Sequence, residues 1–359
     1  MPLLKYHEMK NVYFIFIIFL SCASTNNGDK VLADFVKTKD LSSIKSPIQS
    51  AKLGKMADIL IMDSTLIYSE VFNDYIFKLY NIKTGELLCE SIKTGKGPNE
   101  LLYGNLLMKL NDSIFVTYES GRNELVYISV NDLLHGVDKF EKIINFDTKV
   151  IRAYHVKDSL MLCTGQFVEG KYCLSNRKTK SNIYKLDYPS NSKNESVDNS
   201  IKALAYQGQI CINPKANKFV NIISASGILE ICSISENNIK RECQKIYSLP
   251  EYKIFHFGDE TITGSSKNSK LAYLDVDVDN KYIYVLYSGM TREEIGEDLF
   301  GGRNLLVYDW EGNPIVNYKL DRLIASITLN KDNMKLYAYS VNPKNFKPEI
   351  VIYQLPKEI

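Results

Sequence analysis

Several side chains in this sequence are of types that could do more than fold. The run Asp275-Val276-Asp277-Val278-Asp279-Asn280 puts carboxylates at alternate positions, hence on one face of a strand, where oxygen ligands could gather a calcium ion. The glycine and distal glutamate of a calcium loop are absent, which favours a solvated strand face leading into a turn. His135, His155 and His256 are widely spaced, and neither Cys-x-x-Cys nor His-x-x-x-His occurs, so no zinc site is expected. Gly95-Lys96-Gly97 is followed by Pro98 and opens no helix, unlike a phosphate-cradling loop. There is no Gly-x-Ser-x-Gly elbow either. The sequence therefore predicts no cofactor, no metal and no catalytic residue. Acids and bases that converge only in three dimensions escape motif reading, so an enzyme stays open as the alternative.

Among the seven cysteines, Cys22 has the most specific surroundings. Lys10 and Asn11 precede nine apolar residues, Val12 to Leu20, and then come Ser21 and Cys22, in the order of a signal peptide. Nine helical residues rise about 14 Å, roughly half of a hydrocarbon core, too little to span it. Phe19-Leu20-Ser21-Cys22 resembles a lipobox, with Phe19 where leucine is usual. Cleavage and lipidation at Cys22 are expected, with residues 1–21 as signal peptide and 22–30 as a small polar tether. The membrane is thus an expected partner, through a lipid anchor.

The elements that must position any site show as a repeat. Six times a turn residue or two leads into an alternating apolar run, with first apolar residues at Leu66, Ile114, Leu160, Phe219, Tyr282 and Leu336. The steps of 48, 46, 59, 63 and 54 residues match four-stranded propeller blades with loop insertions. A second register follows: Tyr80, Tyr127, Tyr308 and Tyr353 end the next strand, and the same slot falls on Cys173 and Cys232. Those two thiols are expected as buried core. Cys163 and Cys173 could instead face each other across a hairpin and form a bridge. Turns at Lys83-Thr84-Gly85-Glu86, Asn237-Asn238 and Glu311-Gly312-Asn313 lead into outer strands. The stretch Asp34 to Lys39 is a candidate outer strand for the last blade, closing the ring.

The predicted fold is all-β: a six-bladed β-propeller of four-stranded antiparallel blades over residues 31–359. Composition agrees, with 45% hydrophobic residues and 24 tyrosines. Lys plus Arg at 44 against Asp plus Glu at 42 gives no positive field for phosphates, so nucleic acid is excluded as a partner. A monomer is expected.

Gly95-Lys96-Gly97-Pro98-Asn99-Glu100, Val307-Tyr308-Asp309-Trp310-Glu311-Gly312-Asn313-Pro314 and the lipobox together resemble the TolB-like six-bladed propeller lipoproteins of Bacteroidetes. The resemblance implies the fold and no activity. Surface-exported lipoproteins of that group tend to carry acidic residues just after the cysteine. None follows Cys22 closely, which implies an outer-membrane lipoprotein facing the periplasm.

Binding residues concentrate on loops held by a rigid scaffold. Loops between blades, and between second and third strands, share one rim. Two segments there are unusual: Thr94 to Gly104, with Lys96, Asn99 and Glu100, and Ser288 to Arg303, with Arg292, Glu293, Asp298 and Arg303. Arg122 joins them as a candidate ligand contact. For the Gly-Lys-Gly-Pro-Asn-Glu loop a rigid turn starting the next blade is the favoured role. The expected function is a membrane-anchored binding module for a protein, peptide or glycan; the alternative is a propeller lyase or hydrolase acting on a glycan or other polymer.

Overall fold

The computed structural model describes residues 29–189, 196–258, 260–266, 268–295, 301–342 and 345–358. Cys22 and Asp298 lie outside the described residues. Four blades are uninterrupted antiparallel sheets in chain order: Met56–Met62 through Leu87–Lys93, Asn105–Lys109 through Lys142–Asn145, Val150–Lys157 through Ser181–Lys185, and Gly208–Ile212 through Asn238–Ile246. The fifth runs from Lys270–Val278 to the first half of the long strand Pro314–Asn330. The second half of that strand pairs with Lys335–Val341 as the inner strand of blade six.

All six predicted turns join the inner strand of a blade to its second strand. Their geometry follows from side-chain acceptors that replace a backbone partner. Asn111 Oδ1 accepts from the amides of Ser113 and Ile114, both at 2.9 Å, and Asp279 Oδ1 accepts from Lys281 and Tyr282, both at 2.7 Å. At the third turn of blade five, Gly312 takes φ 88°, a conformation costly for any residue with a Cβ.

The core lies between neighbouring blades, and the second register of the sequence marks it. Tyr80, Cys232, Tyr308 and Tyr353 stand directly opposite Leu66, Phe219, Ile283 and Leu336, and all four are fully buried. The register shifts by one residue in blade five, where Tyr282 pairs with Asp309, and further in blades two and three. Tyr127 faces Val116 rather than Ile114, and Cys173 faces Cys163 rather than Leu160. Both cysteines are buried as free thiols among the aliphatic and aromatic residues between blades two and three.

A latch closes the ring, but not with the predicted residues. Ile44–Lys45 supplies the outer strand of blade six, antiparallel to Val351 and Ile352. Thr38–Leu41 instead adds a parallel strand outside blade five, against Asn317 to Leu320. Asp34 and Phe35 are taken up by docking, while Val36 is fully exposed. Asp29 caps the short helix Lys30–Ala33, accepting from Val31 N at 3.0 Å, and Val31 and Phe35 are buried in the core between blades four and five. Asp29 also accepts from the Tyr287 hydroxyl at 2.6 Å, and Asp34 from Lys245 at 3.2 Å and from Tyr247. These partners sit on the rim formed by interblade loops and second-to-third-strand loops, here called the tether rim. The opposite rim, made of the tight turns, is the turn rim.

Candidate functional site

An inner strand faces the ring axis with one hydrogen-bonding edge unpaired, and buried amides there must find acceptors. Neighbouring blades supply them. Leu107 N donates to Asp58 Oδ2 at 2.7 Å, Ile210 N to the Tyr154 hydroxyl at 3.2 Å, and Ile61 N to Thr328 Oγ1 at 3.1 Å. Between blades five and six, Ile327 N and the Ser326 hydroxyl donate to Asp275 Oδ2, at 2.7 and 2.6 Å, and Leu329 N donates to Asp277 Oδ2 at 2.7 Å. The alternating aspartates are therefore neither a solvated face nor a calcium loop. Both faces of an inner strand are covered by adjacent blades, and the carboxylates act as clamps across that seam. Among the described residues no cluster of three or more metal-ligating side chains occurs.

Inside this ring the inner strands of all six blades wall a cavity of about 270 Å³. Its deeper lining includes Asp58, His155, Ile210 and Asp275, and its turn-rim end is marked by Asp63, Lys331 and Asp332. No loop of the tether rim contributes to it. Burial and the mutual repulsion of Asp58 and Asp275 push the Asp58 carboxyl up to about 7. Burial likewise raises Asp275 to about 6, against the pull of its hydrogen bonds from Ser326, Ile327 and Val276. Asp277 is raised by burial and restrained by Lys331. His155, bonded through Nδ1 to the Tyr127 hydroxyl at 2.8 Å, is lowered by burial and by Lys142. The cavity thus has clamped, partly neutralised acids within and mixed charge at its mouth.

The residues singled out from the sequence fall on the tether rim in two separate groups. Lys96, Asn99 and Glu100 share one closed turn, in which Glu100 Oε2 accepts from Gly97 N at 2.7 Å and Gly95 N donates to Leu101 O at 2.9 Å. Arg122 fastens that turn from blade two, donating to the carbonyls of Glu100 at 3.1 Å and Gly95 at 2.9 Å. Here the favoured rigid turn is what the geometry shows. Arg292 and Glu293 lie exposed on the short helix Arg292–Ile295, and Arg303 donates to the Asp321 carbonyl at 3.1 Å.

Two buried charge clusters had no sequence motif. Glu119 accepts from the amides of Leu102, Tyr103 and Gly121, holding the start of blade two. Glu230 is fully buried between blades three and four with Lys171, the Tyr172 hydroxyl at 2.7 Å, Arg241 at 2.9 Å and Gln244 at 2.6 Å. Burial pushes Glu230 up, but Lys171 and Arg241 outweigh it and hold the carboxyl below its usual value. The available signal was an acid or base inside an apolar strand run, as in Ala57-Asp58-Ile59 and Leu229-Glu230-Ile231, which is tolerable only if it is bonded.

Comparison with known proteins gives the fold's relatives. Residues 35–332 match the model of the family described as TolB-like 6-blade propeller-like. A solved member of the DUF4221 family from Bacteroides vulgatus superposes with a TM-score of 0.55 at 12% identity, covering 89% of this chain and 97% of that one. A candidate exported protein of Bacteroides fragilis gives a TM-score of 0.54 at 12% identity, covering 88% and 94%. The WD40 repeats of RRP9 give a TM-score of 0.51 at 8% identity, covering 89% and 100%. No curated protein matches the sequence. With six blades closed by an N-terminal latch and the family model matched over most of its length, the chain belongs to the TolB-like six-bladed β-propeller family.

Proposed function

We propose that this chain is an exported, membrane-tethered binding module, anchored through Cys22, that takes a peptide side chain or a terminal sugar residue into the axial cavity from the turn rim. The observation that carries the proposal is the cavity itself: about 270 Å³, walled by all six blades and just below the usual range of ligand pockets. The inner carboxylates of Asp58, Asp275 and Asp277 are already committed to backbone amides, so they serve the scaffold. Export accords with the signal-like N-terminus and with the description of the Bacteroides fragilis neighbour.

The test is a glycan and peptide screen on the purified mature protein, followed by titration of Lys331→Glu. A hit in the channel should lose at least about tenfold in affinity, roughly 1.4 kcal/mol. Unchanged affinity in that variant and in Asp332→Lys would place the ligand elsewhere. One observation favours an enzyme as the second reading: the Asp58 and Asp275 carboxyls lie near 7 and 6, within the range tuned for general acids. Polymer turnover that disappears in a folded Asp58→Asn protein would favour that reading over binding alone.

A further inference from the structure

Three loops of the tether rim carry an exposed apolar tip. Phe72 in blade one is 90% exposed, Val168 in blade three 61% and Phe346 in blade six 58%. Between blades four and five the chain adds a separate hairpin, Lys253–Phe257 with Glu260–Gly264. Phe255 and Phe257 are two residues apart, and Ile262 pairs with Phe255, so the three share one face. That face is exposed, while Ile254 and Thr263, on the other face, are half-buried. Toward the turn rim the exposed large apolar side chains include Leu134 and Val137 on one short segment, Leu88 at the start of an outer strand and Val36 just before the strand outside blade five.

A contiguous exposed apolar patch marks an interaction or membrane site, and Phe255, Phe257 and Ile262 form such a patch on the hairpin. The path of the chain indicates which occupant. Asp29 is fixed by Tyr287 at the root of this rim, and it lines one cavity with Tyr247, Leu249, Asn268 and Lys270, the residues that flank the hairpin. From Cys22 to Asp29 is seven residues, at most about 25 Å when fully extended. Blade strands of mostly five to eight residues put the two rims about 20–25 Å apart, so a bilayer on the turn-rim side would need the tether drawn out almost fully along the side of the ring, whereas one on the tether-rim side needs none of that length.

We propose that the tether rim is a lipid-contacting face, with Phe255, Phe257 and Ile262 of the hairpin entering the headgroup region beside the anchor. Phe72, Val168 and Phe346 contact the same surface, and the turn rim is held away from it. This rests on lipidation at Cys22, argued above.

The experiment uses the full-length lipidated protein in vesicles of phosphatidylethanolamine and phosphatidylglycerol, with or without acyl chains brominated near the headgroup. The only native tryptophan, Trp310, is buried and gives a constant background. Phe257→Trp and Phe346→Trp should each lose their added emission in brominated vesicles, whereas Leu134→Trp should stay bright. Acyl mass on Cys22 is measured on the same samples. If Cys22 is acylated and the protein floats with the vesicles, yet Phe257→Trp is as bright as Leu134→Trp, the lipid-contacting face is overturned and the anchor stands. If Cys22 carries no acyl mass, the anchor itself is overturned and the inference falls with it.

Discussion

Buried ionised groups set the pH response of this protein, in opposite directions. Asp58 and Asp275 titrate higher in the fold than in the unfolded chain, so their contribution is complete below about pH 4 and is lost as pH rises through about 6 to 7. Glu230 titrates lower in the fold, so its contribution is present above its unfolded value and is lost as pH falls below it. Stability should therefore be greatest at about pH 4, between the ordinary aspartate and glutamate ranges, and fall on either side. Thermal melts from pH 3 to 8 should show that maximum, and Asp58→Asn should flatten the alkaline limb while costing about 1–3 kcal/mol through the lost acceptor. At the other seam, Lys171→Ala leaves the Glu230 charge without its closest partner and should cost about 3–5 kcal/mol by denaturant unfolding. The double change with Glu230→Leu should recover part of that loss.

Strands and turns were legible because their signals are local. An asparagine or aspartate that caps a turn, followed by an alternating apolar run, specifies its hairpin without help from the rest of the chain, and all six such hairpins formed. The tyrosine slot was legible in blades one, five and six because the same residue type recurs opposite the start of the second strand, although the loops between second and third strands differ in length. It slipped in blade three, where Cys163 pairs with Cys173 and the register shifts by three residues. Cys232 remains in the slot, with burial pushing its thiol up to about 12. It should resist thiol reagents until the protein unfolds, and Cys232→Asp should cost several kcal/mol through a buried unpaired charge. The long loop of blade five belongs to this scale too. Replacing Thr291 to Gly301 by a short Gly-Ser turn should leave the melting temperature nearly unchanged, because Arg292, Glu293 and Glu294 are exposed and the buried Gly301 can be kept as a glycine of the new turn. Affinity for a channel ligand should be retained, and its loss would move the site to the tether rim.

The cavity and the clamps belong to the whole molecule, and for that reason they were not legible in the sequence. Asp58 meets Leu107, and Asp277 meets Leu329, only once the ring has closed, so no spacing along the chain announces either bond. The latch has the same dependence on closure. Ile44 pairs with Ile352, some 300 residues further along the chain, and closing a loop of that length costs about 5 kcal/mol in entropy. The consequence is one of timing. Were the chain delivered across a membrane N-terminus first, as the proposed export requires, its latch strands would come first and their partners in blades five and six last. Throughout delivery Thr38–Leu41 and Ile44–Lys45 would have no ladder to join, and blade six would expose an open edge until the final strand arrived. The slow step of maturation would then be ring closure rather than the formation of any single blade, and a protease present during delivery would find the segment between Asp34 and Lys45 its most accessible target.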